Sequence, residues 1–168
     1  MKLIGSCHCQ SVRFEVESFT PYPFMYCYCS ICRKTAGGGG YAINIMGQAN
    51  TFKVEGREHV SIYRARMPGK MTGTFEESSG QRHFCKICAS CLWISDPQWP
   101  DWVYPFASAI DTPLPKPLER IHMMLDFAAK WCEIPKGKKE RYIAQYPEDS
   151  IEGWHKDHGV YGVEGKEE

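Results

Sequence analysis

The chain has no excess of charge of either sign: lysine and arginine together number 20, and so do aspartate and glutamate. Polyanion-binding proteins concentrate positive charge, so no nucleic-acid partner is expected. Long apolar runs are missing too. No stretch approaches the roughly 20 apolar residues that span a bilayer. Met1-Lys2-Leu3-Ile4-Gly5 is too short an apolar start for a secretory leader. A soluble, cytoplasmic protein with no membrane partner is the expectation. The six histidines show neither a His-x3-His nor a Cys-paired zinc-finger spacing. Gly37–Gly40 lacks the strand-loop-helix surroundings of a phosphate-binding motif and reads as a flexible loop.

What is present describes a folded globule. Apolar residues make up 43% of the 168 and aromatics 13%, too many for a disordered chain. This length suits one domain, expected over 1–158, with the polar stretch 159–168 as a flexible tail. Ser11–Val16 and Val60–Arg64 alternate polar and apolar residues, the period of a half-buried strand. Tyr41–Met46, Thr51–Val54, Leu92–Ser95, Trp102–Tyr104 and Phe106–Ile110 are further strand candidates between turn signals. Arg120–Trp131 is ambiguous, because Met124, Phe127, Ala128 and Trp131 fit one face of a helix. The expected fold is mainly β, a single zinc-binding domain of small antiparallel sheets with few short helices.

The abundant feature is cysteine. Eight of the nine fall in three clusters: Cys7 and Cys9; Cys27, Cys29 and Cys32; Cys85, Cys88 and Cys91. In a reducing compartment such clusters are more often metal ligands than disulfides. Cys85-x-x-Cys88 has the spacing of a zinc knuckle, and the side chains of Cys7-x-Cys9 can point to one side of an extended chain. Together they make a four-thiolate tetrahedron, a closed structural zinc site. Cys27, Cys29 and Cys32 supply three thiolates and leave a fourth zinc position open, which distinguishes catalytic zinc from structural zinc. Zinc with three thiolates is near −1 in net charge and suits a soft fourth ligand, such as a substrate thiolate. Arg33 and Lys34 follow directly and can offset that charge or receive a substrate carboxylate. Two other readings stay open. Cys85-x2-Cys88-x2-Cys91 matches the start of a ferredoxin run, although Ser95 stands in the fourth slot. Alternatively all the clusters are structural, in a non-catalytic zinc-binding scaffold. Cys91 reads as a buried thiol and Cys132 as a free one.

Three motifs in order carry a resemblance: Gly5-Ser6-Cys7-His8-Cys9, Cys27-x-Cys29-Ser30-x-Cys32-Arg33-Lys34 and Phe84-Cys85-x-x-Cys88. With Ile121-His122-Met123, Lys130-Trp131 and Ile134-Pro135, the chain resembles the glutathione-dependent formaldehyde-activating enzymes, a family that includes centromere protein V. The resemblance implies an all-β "β-tent" fold with one structural and one exchangeable zinc. Cys7, Cys9, Cys85 and Cys88 match the structural ligands, and Cys27, Cys29 and Cys32 the catalytic site. It implies a carbon–sulfur lyase or synthase that joins glutathione, its small-thiol partner, to formaldehyde as S-hydroxymethylglutathione. The chain departs from the pattern at Gln10 and Ala89, where glycine is usual, and at Tyr28, where histidine or asparagine is frequent.

Overall fold

The computed structural model describes residues 1–36 and 38–162. In chain order the elements are β1 (Lys2–Ser6), β2 (Arg13–Glu17), β3 (Met25–Cys27), α1 (Ser30–Thr35), β4 (Ala42–Ile43), β5 (Gly47–Gln48) and β6 (Lys53–Glu55). They continue with β7 (Val60–Pro68), β8 (Phe75–Cys85), β9 (Cys91–Ser95), β10 (Trp102–Pro105), β11 (Arg120–Met123), β12 (Glu140–Tyr142) and α2 (Ile151–Asp157). The strands form three small sheets, ordered β1-β2-β6, β5-β10-β9-β8-β7 and β12-β11-β3-β4. The mainly-β expectation holds. The third sheet is mixed rather than antiparallel, with β11 running parallel to both β3 and β12.

Alternation works where one face is buried. In the β1–β2 hairpin Leu3, Val16 and Phe14 point inward, and the residues between them face outward or only part-way in. Gly5 is required there, because a Cβ would lie 2.2 Å from the Phe14 ring and 2.4 Å from the Ala109 carbonyl oxygen. Phe14 and Phe52 then meet Trp93 edge-on, at 5.7 and 5.0 Å between ring centroids, which joins the first sheet to the second. At the far end Trp154 of α2 stacks on Phe24 at 4.0 Å.

Several strands lack that signal. β8 extends well before Gln81, but its first residues, Phe75-Glu76-Glu77, are exposed on both faces and show no apolar period. Ile121, His122 and Met123 of β11 are all buried, as befits a strand covered on both sides, so no alternation appears. The helical pattern over Arg120–Trp131 is not realised: Met124 takes a left-handed φ of 62°, which ends β11 in a 3-10 turn at Leu125–Phe127. Phe106–Ile110 is a 3-10 turn flanked by single bridges rather than a strand. Tyr41–Met46 shortens to β4 and isolated bridges. α2 was not expected; its N-cap is Ser150, whose hydroxyl accepts from the Gly153 amide at 2.9 Å.

Of the expected tail, Val160 and Gly162 donate backbone hydrogen bonds to His155 and Phe19. Residues 163–168 lie outside the described residues, as does Gly37 of the glycine loop.

Candidate metal centres

Two cysteine clusters form. The first gathers Cys7, Cys9, Cys85 and Cys88, with all four sulfurs within 4.8 Å of one another. Cys7 and Cys9 occupy the turn between β1 and β2, just off the strands rather than on them. Gln10 closes that turn at a φ of 64°. Cys85 ends β8, and the knuckle after it is tied by the Ala89 amide to the Cys85 carbonyl at 2.8 Å. Ala89 sits at a φ of 60°. The two residues that replace the family's glycines thus both hold left-handed backbone, the conformation in which a Cβ is disfavoured.

This cluster fits zinc. Tetrahedral thiolate ligands about 2.3 Å from the ion stand about 3.8 Å apart; Cys7–Cys9 and Cys9–Cys85 are 3.5 and 3.8 Å. Donors already point at the sulfurs: the Val12 amide at Cys7 (3.3 Å) and Ser90 at Cys88 (3.2 Å). Hydrogen bonding with Ser90 holds the Cys88 thiol down at about 5, and hydrogen bonding with Ser11 lowers Cys9. Burial pushes Cys7 up to about 11. A divalent cation would displace the protons of such thiols and bind the four thiolates together.

The second cluster is Cys27, Cys29 and Cys32, also within 4.8 Å, and no fourth cysteine, histidine or carboxylate joins it among the described residues. Cys27 ends β3, where pairing with Met123 and Ala42 fixes it between two strands. Cys29 caps α1, its sulfur accepting from the Cys32 amide at 3.3 Å, and Cys32 lies one turn on. Cys27 and Cys32 are buried and Cys29 half-buried. Within the trio one thiolate is favoured. Hydrogen bonds from Cys27 and Cys32 bring Cys29 down to about 2. Bonding to Cys29 and to Cys32, then burial, drive Cys27 far up. Cys32 rises to about 11, since its bond with Cys29 and its burial outweigh the lowering effect of Cys27.

Arg33 and Lys34 fall elsewhere on α1. The Arg33 guanidinium donates to the Phe127 carbonyl at 3.2 Å, and Lys34 is exposed. Cys91 stays outside both clusters and donates its thiol proton to the Thr35 carbonyl at 2.7 Å, tying β9 to the end of α1. Cys132 donates to the Gly39 carbonyl at 3.1 Å.

Sequence reasoning missed what stands behind the trio. Tyr28, fully buried, points away from its cysteine neighbours and meets His122 Nδ1 at 2.9 Å. His122 Nε2 lies 2.8 Å from Glu140 Oε2, and Arg120 pairs with the same carboxylate. A carboxylate can only accept, so Nε2 carries a proton, and in the neutral ring Nδ1 accepts from the Tyr28 hydroxyl. Burial raises the Glu140 carboxyl, but Arg120 and His122 more than offset it and hold it low. The Tyr28 amide also donates to the Met123 carbonyl at 3.0 Å.

Comparisons with known proteins place the chain in a family. The family model for "glutathione-dependent formaldehyde-activating enzyme" matches residues 2–123, a span that includes both clusters. The chain belongs to this family. A Halomonas elongata protein, provisionally named a glutathione-dependent formaldehyde-activating enzyme, is 57% identical over 155 residues, 92% of this chain and 95% of that protein. A crystal structure of a Rhodobacter sphaeroides protein is similar over 68% of this chain and 92% of its own, at 24% identity and a TM-score of 0.49. Within this glutathione-dependent formaldehyde-activating family member, the matched span ends at Met123, before Glu140, Tyr146 and α2.

Proposed function

We propose that the protein joins glutathione to formaldehyde, giving S-hydroxymethylglutathione, a carbon–sulfur bond formation classed in reverse as a lyase. The observation that carries this reading is the convergence of Cys27, Cys29 and Cys32 with no fourth protein donor among the described residues. Family membership and the name given to the Halomonas elongata relative support it. We infer one domain over 1–158, zinc in both clusters, and a cytoplasmic setting, with which nine unbridged cysteines accord.

Zinc held by Cys27, Cys29 and Cys32 would supply a Lewis acid with a fourth position for the substrate sulfur and favour its thiolate. The thiol loses its proton, its sulfur attacks the aldehyde carbon, and the carbonyl oxygen takes up a proton to become the hydroxyl. Arg33 and Lys34, in the last turn of α1, are assigned a supporting role as positive charge that offsets the centre's net negative charge from a distance. Cys7, Cys9, Cys85 and Cys88 have the structural role, tying the β1–β2 turn to the end of β8.

Exchange spectroscopy of glutathione and formaldehyde tests the reaction. The zinc-loaded protein is expected to accelerate interconversion, and a Cys29→Ser variant to lose the acceleration while staying folded. No acceleration over the uncatalysed condensation would overturn the assignment. The burial of Cys27 and Cys32 favours one other reading, a non-catalytic zinc scaffold. In that case both ions would resist chelation equally.

A further inference from the structure

β8 carries Cys85 to the first cluster and, three residues earlier, a positive charge to the second. Gln81 and His83 line a cleft with Phe52 and Trp93 on one face of the sheet, so Arg82 leaves from the other. Gly80 lies on the Arg82 face, where a Cβ would stand 4.0 Å from Arg82 Nη1 and 3.7 Å from Asp96 Oδ2. Arg82 pairs across the sheet with Ile94 of β9. β9 begins at Cys91, whose bond to Thr35 docks the sheet against the helix that bears Cys32. Arg82 therefore shares the sheet face on which Cys91 meets the end of α1, the helix that bears Cys32.

The Arg82 guanidinium is unsatisfied at one nitrogen. Nε is buried and has no hydrogen-bond partner among the described residues. Arg120 is held by Glu140, and Arg141 by Glu119 and Asp149, but Arg82 joins none of the ion pairs among the described residues. A buried charged donor without an acceptor is costly, and it is ready to take one. Arg33, the nearer choice by sequence, already donates to Phe127.

We propose that Arg82 binds a carboxylate of the incoming thiol, so that the three-thiol centre selects thiols that carry a carboxylate over neutral ones. The proposal rests on reading that centre as a thiol-binding site. A guanidinium offers a planar fork that a carboxylate fills with two parallel hydrogen bonds, which fixes the direction in which the substrate sulfur enters.

The test compares glutathione with glutathione diethyl ester, which has the same thiol and no carboxylates, by calorimetric titration of the zinc-loaded protein. The wild type is expected to bind glutathione at least about tenfold more tightly, and Arg82→Met to weaken glutathione about 30-fold while moving the diester by about twofold or less. Zinc content should stay at the wild-type value, and the thermal midpoint should hold or rise, since the substitution removes an unpaired buried donor. Arg82→Lys keeps the charge without the fork and should fall between the two. It also serves the same comparison if Arg82→Met does not fold. Equal weakening of both thiols, or of neither, would overturn the role of Arg82 alone. If the wild type binds neither thiol, the thiol-site reading itself falls, and the Arg82 role with it.

Discussion

The two cysteine clusters share a ligand type and differ in everything around it. The four-thiol cluster sits in two turns near the surface, with Cys9 exposed and Cys88 half-buried. The three-thiol cluster lies deeper, yet it has one protein ligand fewer. Tight turns are enough to shape the first, because a metal ion would hold those turns together. The second is bordered by strand pairing on both sides of β3, the α1 cap and the Tyr28–His122–Glu140–Arg120 chain, contacts that would remain without an ion. A centre shaped independently of its ion can lose that ion and keep its form, which an exchangeable, reactive site requires.

Cysteine substitutions press this contrast hardest. Cys85→Ser should remove stability on the order of 10 kcal/mol, the scale of a structural zinc site, and comparable to the whole stability of a typical domain. Circular dichroism and urea titration should find it unfolded or nearly so. Cys29→Ser should stay folded by the same measures. Similar losses in both would erase the distinction.

Tyr28→Phe acts on the scaffold of the second cluster. It leaves His122 Nδ1 buried without its partner and should cost about 1–3 kcal/mol in urea unfolding. Because the network does not depend on zinc, the loss should be the same before and after mild chelation.

Acid separates thiol chemistry from the rest of the fold. His155 is fully buried on α2, its Nδ1 2.7 Å from the Ile151 carbonyl and its Nε2 accepting from the Tyr22 amide at 3.1 Å. Burial holds its pKa below the ordinary histidine value. The unfolded chain therefore binds this proton more readily. The contribution of His155 is fully present above about pH 6.5 and fades as pH falls through the lowered folded value, at up to about 1.4 kcal/mol per pH unit. Stability curves of wild type and His155→Gln should converge in slope above that pH and diverge below it. Identical slopes throughout would assign the acid sensitivity to groups other than His155, the lowered Glu140 carboxyl among them.

The smallest effect belongs to the first cluster. Ala89→Gly relieves a left-handed alanine at a φ of 60° in the knuckle, and should add about 0.5–1 kcal/mol to the zinc-loaded protein. A loss would mean that the knuckle tolerates its Cβ without strain.

Local chemistry was legible in the sequence and distant chemistry was not. Cys-x-Cys and Cys-x-x-Cys report ligands because convergence is settled within a turn, and both clusters form from the expected residues. β2 was readable because it buries one face, whereas β11 buries both and the start of β8 neither. Tyr28 and His122 lie 94 residues apart and meet only because β11 pairs parallel to β3. Nothing local marks either as polar core. Arg82 reads as one more polar residue beside a cysteine motif, and its missing acceptor is visible only once the strands and α1 are in place.

The most direct test of the contrast is zinc analysis of the purified protein before and after mild chelation, with circular dichroism recorded alongside. Two ions per chain, one released without change in the spectrum and the other only on unfolding, is the predicted result. One ion per chain, or two that leave together as the protein unfolds, would contradict it.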